Sequence, residues 1–166
     1  MPASTTDLAT AMIGAWNAGE VERVITLAAQ AGDAAEEEGI KLLLGLAQQA
    51  IGRHEQAAAT FRQLALMRPE VSAYWNNLGI VCRQLGDTGA AEEALLKAGS
   101  LAPDDAEVLY NLGLLYIQQR RWPLARQTLM EAVQLSPDFI EARLQAAHAC
   151  YICGDSTGQE AMLKGA

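Results

Sequence analysis

Near the end of the chain two thiols stand as Cys150-Tyr-Ile-Cys153, with His148 just before them. Thiolates at that spacing serve as redox pairs or as half of a tetrahedral zinc site, where imidazole is a common partner. The sequence holds one further cysteine, Cys82, and one further histidine, His54, so no second ligand pair is available. The pair lies inside an expected helix, and Cys150 falls in the phase of Cys82 and Tyr116, which reads both Cys150 and Cys153 as small buried hydrophobes of the core. A Gly-rich phosphate loop, a His-Glu-x-x-His pair and a Gly-x-Ser-x-Gly elbow are all missing from the sequence. The expectation is a protein that is not an enzyme, with no catalytic residue, no cofactor and no metal.

A second chemistry recurs along the chain. Asn77 and Asn111 each stand directly before a Leu-Gly pair, 34 residues apart. A carboxamide offers two donors and an acceptor, which suits it to the peptide groups of an extended chain. Residues three and four positions away lie on the same helix face. The resulting stripe reads Ala73, Asn77, Ile80, Gln84, then Glu107, Asn111, Leu114, Gln118, then Glu141, Gln145, His148, Ile152. The competing reading is that these asparagines tie one helix to its neighbour through a side-chain hydrogen bond.

The elements that carry these residues are short helices in a repeat. Sliding the sequence by 34 places Asn77 on Asn111, Gly79 on Gly113, Ala91 on Ala125, Ala98 on Ala132 and Pro103 on Pro137; one slide earlier, Gly45, Gly52, Ala57 and Pro69 also fall in step. Within a unit, Leu78, Val81, Cys82 and Leu85 recur at helical spacing, and Ala90, Ala94, Leu95, Ala98 and Leu101 do so after a break at Gly86-Asp87. Glycine can take the left-handed conformation that ends the first helix, and the aspartate can cap the second. Asp104 with Glu107 and Asp138 with Glu141 have capping-box spacing, Glu36 to Glu38 read as a carboxylate-rich first turn, and Trp122-Pro123 reads as a helix start. His54 is expected in a solvated turn. Gly79 and Ala91 are expected on facing helices, where small side chains let the backbones approach.

In one unit the pattern is Trp75, Leu78, Gly79, Cys82, Ala91, Leu95 and Pro103. The next has Leu109, Leu112, Gly113, Tyr116, Ala125, Leu129 and Pro137, and the previous one Lys41, Leu44, Gly45, Gln48, Ala57, Phe61 and Pro69. This resembles the tetratricopeptide repeat, W-x2-L-G-x2-Y…A-x3-F…P. The resemblance implies an all-α, right-handed superhelix of about four to five helix-turn-helix units in a single array over residues 1–166. Its units span 38–71, 72–105 and 106–139, with a degenerate unit at 5–31 and a partial one at 140–164. It implies a concave groove that binds an extended peptide, with Asn77, Asn111, Gln145, Ile80, Arg83, Gln84, Tyr110, Leu114, Gln118 and His148 as its binding residues. Leu43 breaks the asparagine ladder one unit earlier. Arg83 is nearly alone as a cation on this wall, and Glu107 and Glu141 oppose an anion, so the wall disfavours the family's carboxylate clamp. A segment with apolar and few acidic side chains is the expected ligand.

Acidic residues outnumber Lys and Arg by 20 to 12, for a net charge of −8, so there is no cation surplus to replace counterions on nucleic acid. The apolar runs are short, with the longest around Leu42 to Ala47, and no basic leader precedes the first apolar residues. The expectation is a cytoplasmic chain with a protein partner and no nucleic-acid or membrane partner. An exposed apolar edge is expected at Tyr151, Ile152, Met162 and Leu163, where the chain could self-associate. Two further readings stand beside the scaffold. The last units are similar to the repeat domain preceding bacterial sulfotransferase domains, and small acidic secretion chaperones are built from three such repeats.

Overall fold

Ten helices follow one another in the computed structural model, which describes residues 5–32 and 37–164. They run in pairs: α1 (Thr5–Asn17) with α2 (Val21–Gln30), α3 (Glu38–Ala50) with α4 (His54–Met67), α5 (Ser72–Leu85) with α6 (Thr88–Leu101), α7 (Ala106–Gln118) with α8 (Trp122–Leu135), and α9 (Ile140–Ile152) with α10 (Ser156–Lys164). Each helix packs on the next in sequence, and α1, α5 and α7 also touch the first helix of the following pair, so the pairs stack into a right-handed superhelix. No strand occurs among the described residues. None of their helices is long and apolar enough to cross a membrane.

Helix pairing rests on a small residue facing a large one. A methyl group built on Gly79 would lie 2.5 Å from Leu95 Cγ and 3.3 Å from the Ala91 carbonyl oxygen; on Gly113 it would lie 2.5 Å from Leu129 Cγ, and on Gly45 2.9 Å from the Phe61 ring. Phe61, Leu95 and Leu129 are thereby wholly buried. Each such side chain contributes about 2 kcal/mol through the apolar area it removes from water. The last pair departs from this rule: Ala147 stands in the glycine's place, and Leu163, in the place of Leu95 and Leu129, is 48% exposed.

The turn inside each pair repeats as well. Gly52, Gly86 and Gly154 close α3, α5 and α9 at φ between 73° and 80°, where a Cβ would be strained. Arg120 holds the same place after α7 at φ 58° without glycine's freedom. Asp87 then caps α6 by accepting from the Ala90 amide, as its position in the sequence suggests.

The other expected caps differ. Asp105, not Asp104, caps α7, accepting from the amides of Glu107 and Val108. The N-cap of α9 is Phe139, which makes no side-chain cap, so Asp138 and Glu141 form no capping box. Glu36 lies outside the described residues. Glu38 does open α3, but its carboxylate accepts from the Tyr74 hydroxyl and from Arg68 at 3.0 Å, joining α3 to α5. Pro123 is tolerated in the first turn of α8 as expected. His54 begins α4 half-buried, with Nδ1 enclosed and unpartnered, and is not a solvated turn residue.

Candidate functional site

The first helices of the pairs supply one wall of the superhelix, and three hydrogen bonds reveal its register. Asn111 Nδ2 donates to Asn76 Oδ1 at 3.1 Å, Gln49 Nε2 donates to Gln84 Oε1 at 3.5 Å, and Gln118 Nε2 donates to the Arg83 carbonyl at 3.5 Å. In each case the partners are 35 residues apart, one repeat plus one residue. A side chain on this wall therefore meets the residue just before its own equivalent in the neighbouring repeat.

That register corrects the expected asparagine ladder. Asn111 is 6% exposed and its amide is already committed to Asn76, itself 8% exposed. Asn77 has no such partner. The residue 35 before it is Leu42, which offers no acceptor, and the Asn77 side chain is half-buried and makes no hydrogen bond. Gln145 stands against the place of Tyr110 and is likewise half-buried. The recurrence of asparagine thus serves the stacking of α7 on α5 at Asn111, while Asn77 keeps its carboxamide free. Sequence reading missed Asn76; the signal was the doubled asparagine at 76–77 together with an offset of 35.

Of the remaining expected residues, Ile80, Tyr110 and Leu114 are half-buried, and Gln84, Gln118 and His148 are exposed. His148 sets its ring edge-on to Trp122, with centroids 5.6 Å apart. Arg83 is half-buried, and its Nε is enclosed without a hydrogen-bond partner. Burial pulls its guanidinium below the usual arginine range, with Tyr110 opposing the shift. The other basic residues near this wall are occupied. Lys41 is buried and donates to Gln63 at 2.9 Å, and Arg143 donates twice to the Met162 carbonyl at 3.2 Å.

An open cleft of about 850 Å³ adjoins the wall where the turn before α7 faces the turn before α9. Tyr110 and Phe139 meet in it with centroids 4.8 Å apart and rings tilted by 52°. Asp104, Asp105, Glu107 and Asn111 also line it. Sequence reading placed Tyr110 in the groove but did not single out Phe139, because the two are brought together only by the stacking of α7 and α9.

Cys150 and Cys82 are buried, as their phase implied, and burial pushes both thiols upward. Cys153 is instead the half-buried C-cap of α9. No group of three or more potential ligands among the described residues could hold a metal ion. At the C-terminal edge Leu144, Tyr151, Ile152 and Leu163 are 44–65% exposed, whereas Met162 packs against the main core. Met162 is thus not part of the open edge.

Comparison with solved structures agrees on the fold. A crystal structure of MamA is 20% identical, with 97% of this chain and 88% of that one aligned at a TM-score of 0.84. MamA from Desulfovibrio magneticus RS-1, residue 41 to the end, is 17% identical over 99% of this chain and 93% of that one at 0.83, and an RS-1 MamA double mutant is 18% identical over 99% and 94% at 0.86. No curated protein matches the sequence significantly. Family profiles described as tetratricopeptide repeat match residues 42–100 and 83–149. Arrays of this architecture are protein-interaction scaffolds that present an extended concave surface. With the profiles joined over the central repeats and the helix pairs stacked as described, the chain belongs to the tetratricopeptide repeat family.

Proposed function

We propose that the wall formed by α3, α5, α7 and α9 holds an extended segment of a partner protein, rich in apolar side chains and poor in acidic ones. The observation that carries this reading is the run of partly open apolar side chains along the wall, Ile80, Leu114, Tyr110 and Leu144, with the unbonded Asn77 carboxamide beside them. Apolar contacts supply affinity, and the carboxamide can hold a peptide group of the ligand. Gln145, Gln84, Gln118 and His148 add polar contacts along the same path. The protein acts by binding and not by catalysis, as a scaffold in one array over residues 1–166. A cytoplasmic site of action fits its three free cysteines.

The test is a library of capped peptides of varied apolar, basic and acidic content, screened against the chain and measured by calorimetry. Micromolar binding that prefers apolar over acidic sequences, and that is lost in an Ile80→Asp, Leu114→Asp variant retaining its helical circular dichroism, is expected. Absence of binding by every peptide, or binding indifferent to those two changes, overturns the reading.

A second reading, self-association, is favoured by the exposed side chains of Leu144, Tyr151 and Leu163 at the C-terminal edge. Light scattering on the chain and on Tyr151→Ser should then show a concentration-dependent dimer that the substitution weakens. A monomer at every concentration removes this reading.

A further inference from the structure

The cleft beside Tyr110 has a composition unlike the rest of the wall. Its floor is aromatic, from Tyr110 and Phe139, and its rim carries the carboxylates of Asp104, Asp105 and Glu107. None of these three carboxylates takes part in a salt bridge among the described residues. Asp105 uses one oxygen, Oδ1, to cap α7, while Asp104 and Glu107 bond to nothing through their side chains. One further acceptor belongs to a residue of the lining. Asn111 is 94% buried (6% exposed), its nitrogen is committed to Asn76, and its Oδ1 accepts no hydrogen bond among the described residues. The cleft therefore combines an apolar floor with carboxylates at its rim that no salt bridge among the described residues occupies, and no lysine or arginine of the described residues lines it.

We infer that this cleft takes an arginine or lysine side chain of the bound partner. The inference rests on the groove reading and adds a charge requirement at one place in it. The aliphatic stem lies across the Tyr110–Phe139 pair, where a cation is also drawn to the ring faces. The charged head meets Glu107 and Asp104, and the Asn111 oxygen accepts one of its hydrogens. An acidic side chain is repelled at the same position, which agrees with the wall's resistance to a carboxylate clamp. Arginine suits the cleft better than lysine because its planar guanidinium both stacks and presents a fork of donors.

The experiment titrates the isotope-labelled chain with N-acetyl-arginine amide and with N-acetyl-citrulline amide, its uncharged near-isostere, following backbone amide shifts. N-acetyl-lysine amide and N-acetyl-glutamate amide complete the series. Shifts confined to residues 104–111 and 139 are expected, with arginine on the order of tenfold tighter than citrulline and glutamate not binding. Asp104→Asn with Glu107→Gln should bring arginine down to citrulline; both residues are exposed, and Asp105 is kept because it caps α7. Equal binding of arginine and citrulline, shifts elsewhere, or no binding by any derivative overturns the inference. A library peptide that binds equally with arginine or citrulline at its basic position also overturns it while leaving the groove reading intact. If no library peptide binds but the arginine derivative does, the groove reading fails alone.

Discussion

Asn111 donates its amide to Asn76 across 3.1 Å, and both side chains are buried between α5 and α7. The two asparagines that looked equivalent in sequence, Asn77 and Asn111, therefore do different work. Asn111→Ala leaves the buried Asn76 carboxamide without its partner, at a cost of about 1–3 kcal/mol, against a few tenths regained from helix propensity. Asn77→Ala should change stability by less than about 0.5 kcal/mol, because its half-buried side chain makes no hydrogen bond among the described residues. Urea unfolding of both variants checks the contrast. Equal destabilisation by the two would mean that the pair is not the difference between them.

This contrast also marks where sequence reading reaches its limit. The unit length, the close approach of Gly79 to Ala91 and the Gly86-Asp87 turn follow from residues close together in sequence or in strict phase, so they were legible. The Asn76–Asn111 bond, the Tyr74–Glu38 link and the Tyr110–Phe139 pair were not, because each depends on how far one helix pair is rotated against the next. A shift of a single residue in that register converts a groove amide into a buried tie. Caps failed for the same reason: whether Asp104 or Asp105 reaches the α7 amides depends on the path of the turn after Pro103.

Arg120 provides a test of the turn argument. It occupies at φ 58° the place that Gly52, Gly86 and Gly154 hold in their repeats, and it is exposed. A non-glycine residue in the left-handed region costs roughly 1 kcal/mol, partly offset because glycine also loses more freedom on folding. Arg120→Gly should raise stability by about 0.5–1 kcal/mol, seen as a higher urea midpoint at unchanged slope. A fall in the midpoint would show that the arginine's own contacts outweigh its backbone strain.

Alkaline pH should expose the link between α3 and α5. Tyr74 is 6% exposed, and burial, with Glu38 as acceptor and negative neighbour, pushes its hydroxyl up to about 12 from an ordinary value near 10. The folded protein thus holds this proton more tightly than the unfolded chain does. Its contribution is fully present below pH 10 and is lost as pH rises from about 10 to 12, amounting to roughly 2–3 kcal/mol. Tyr74→Phe should cost on the order of 1 kcal/mol at neutral pH and flatten the alkaline loss. An unchanged fall in stability between pH 10 and 12 in that variant would assign the loss to other groups.

The thiols give the last prediction, because their spacing invited a redox or metal reading that their positions do not favour. Cys82 is 2% exposed and Cys150 fully buried, and desolvation raises both thiols, opposed at Cys82 by Arg62 and reinforced at Cys150 by Asp155. Raised thiols carry little thiolate at neutral pH, and burial blocks the reagent, so both factors slow alkylation. Cys153, at the C-cap of α9, is only half-buried and so more open to the reagent. Labelling with a thiol-disulfide reagent at pH 8 should modify Cys153 first, with Cys82 and Cys150 following only at the rate of unfolding or local opening. In urea all three should react together. Mass spectrometry of the labelled peptides identifies the order. Simultaneous fast loss of Cys150 and Cys153, or stoichiometric zinc that protects them, would restore the pair as a functional site.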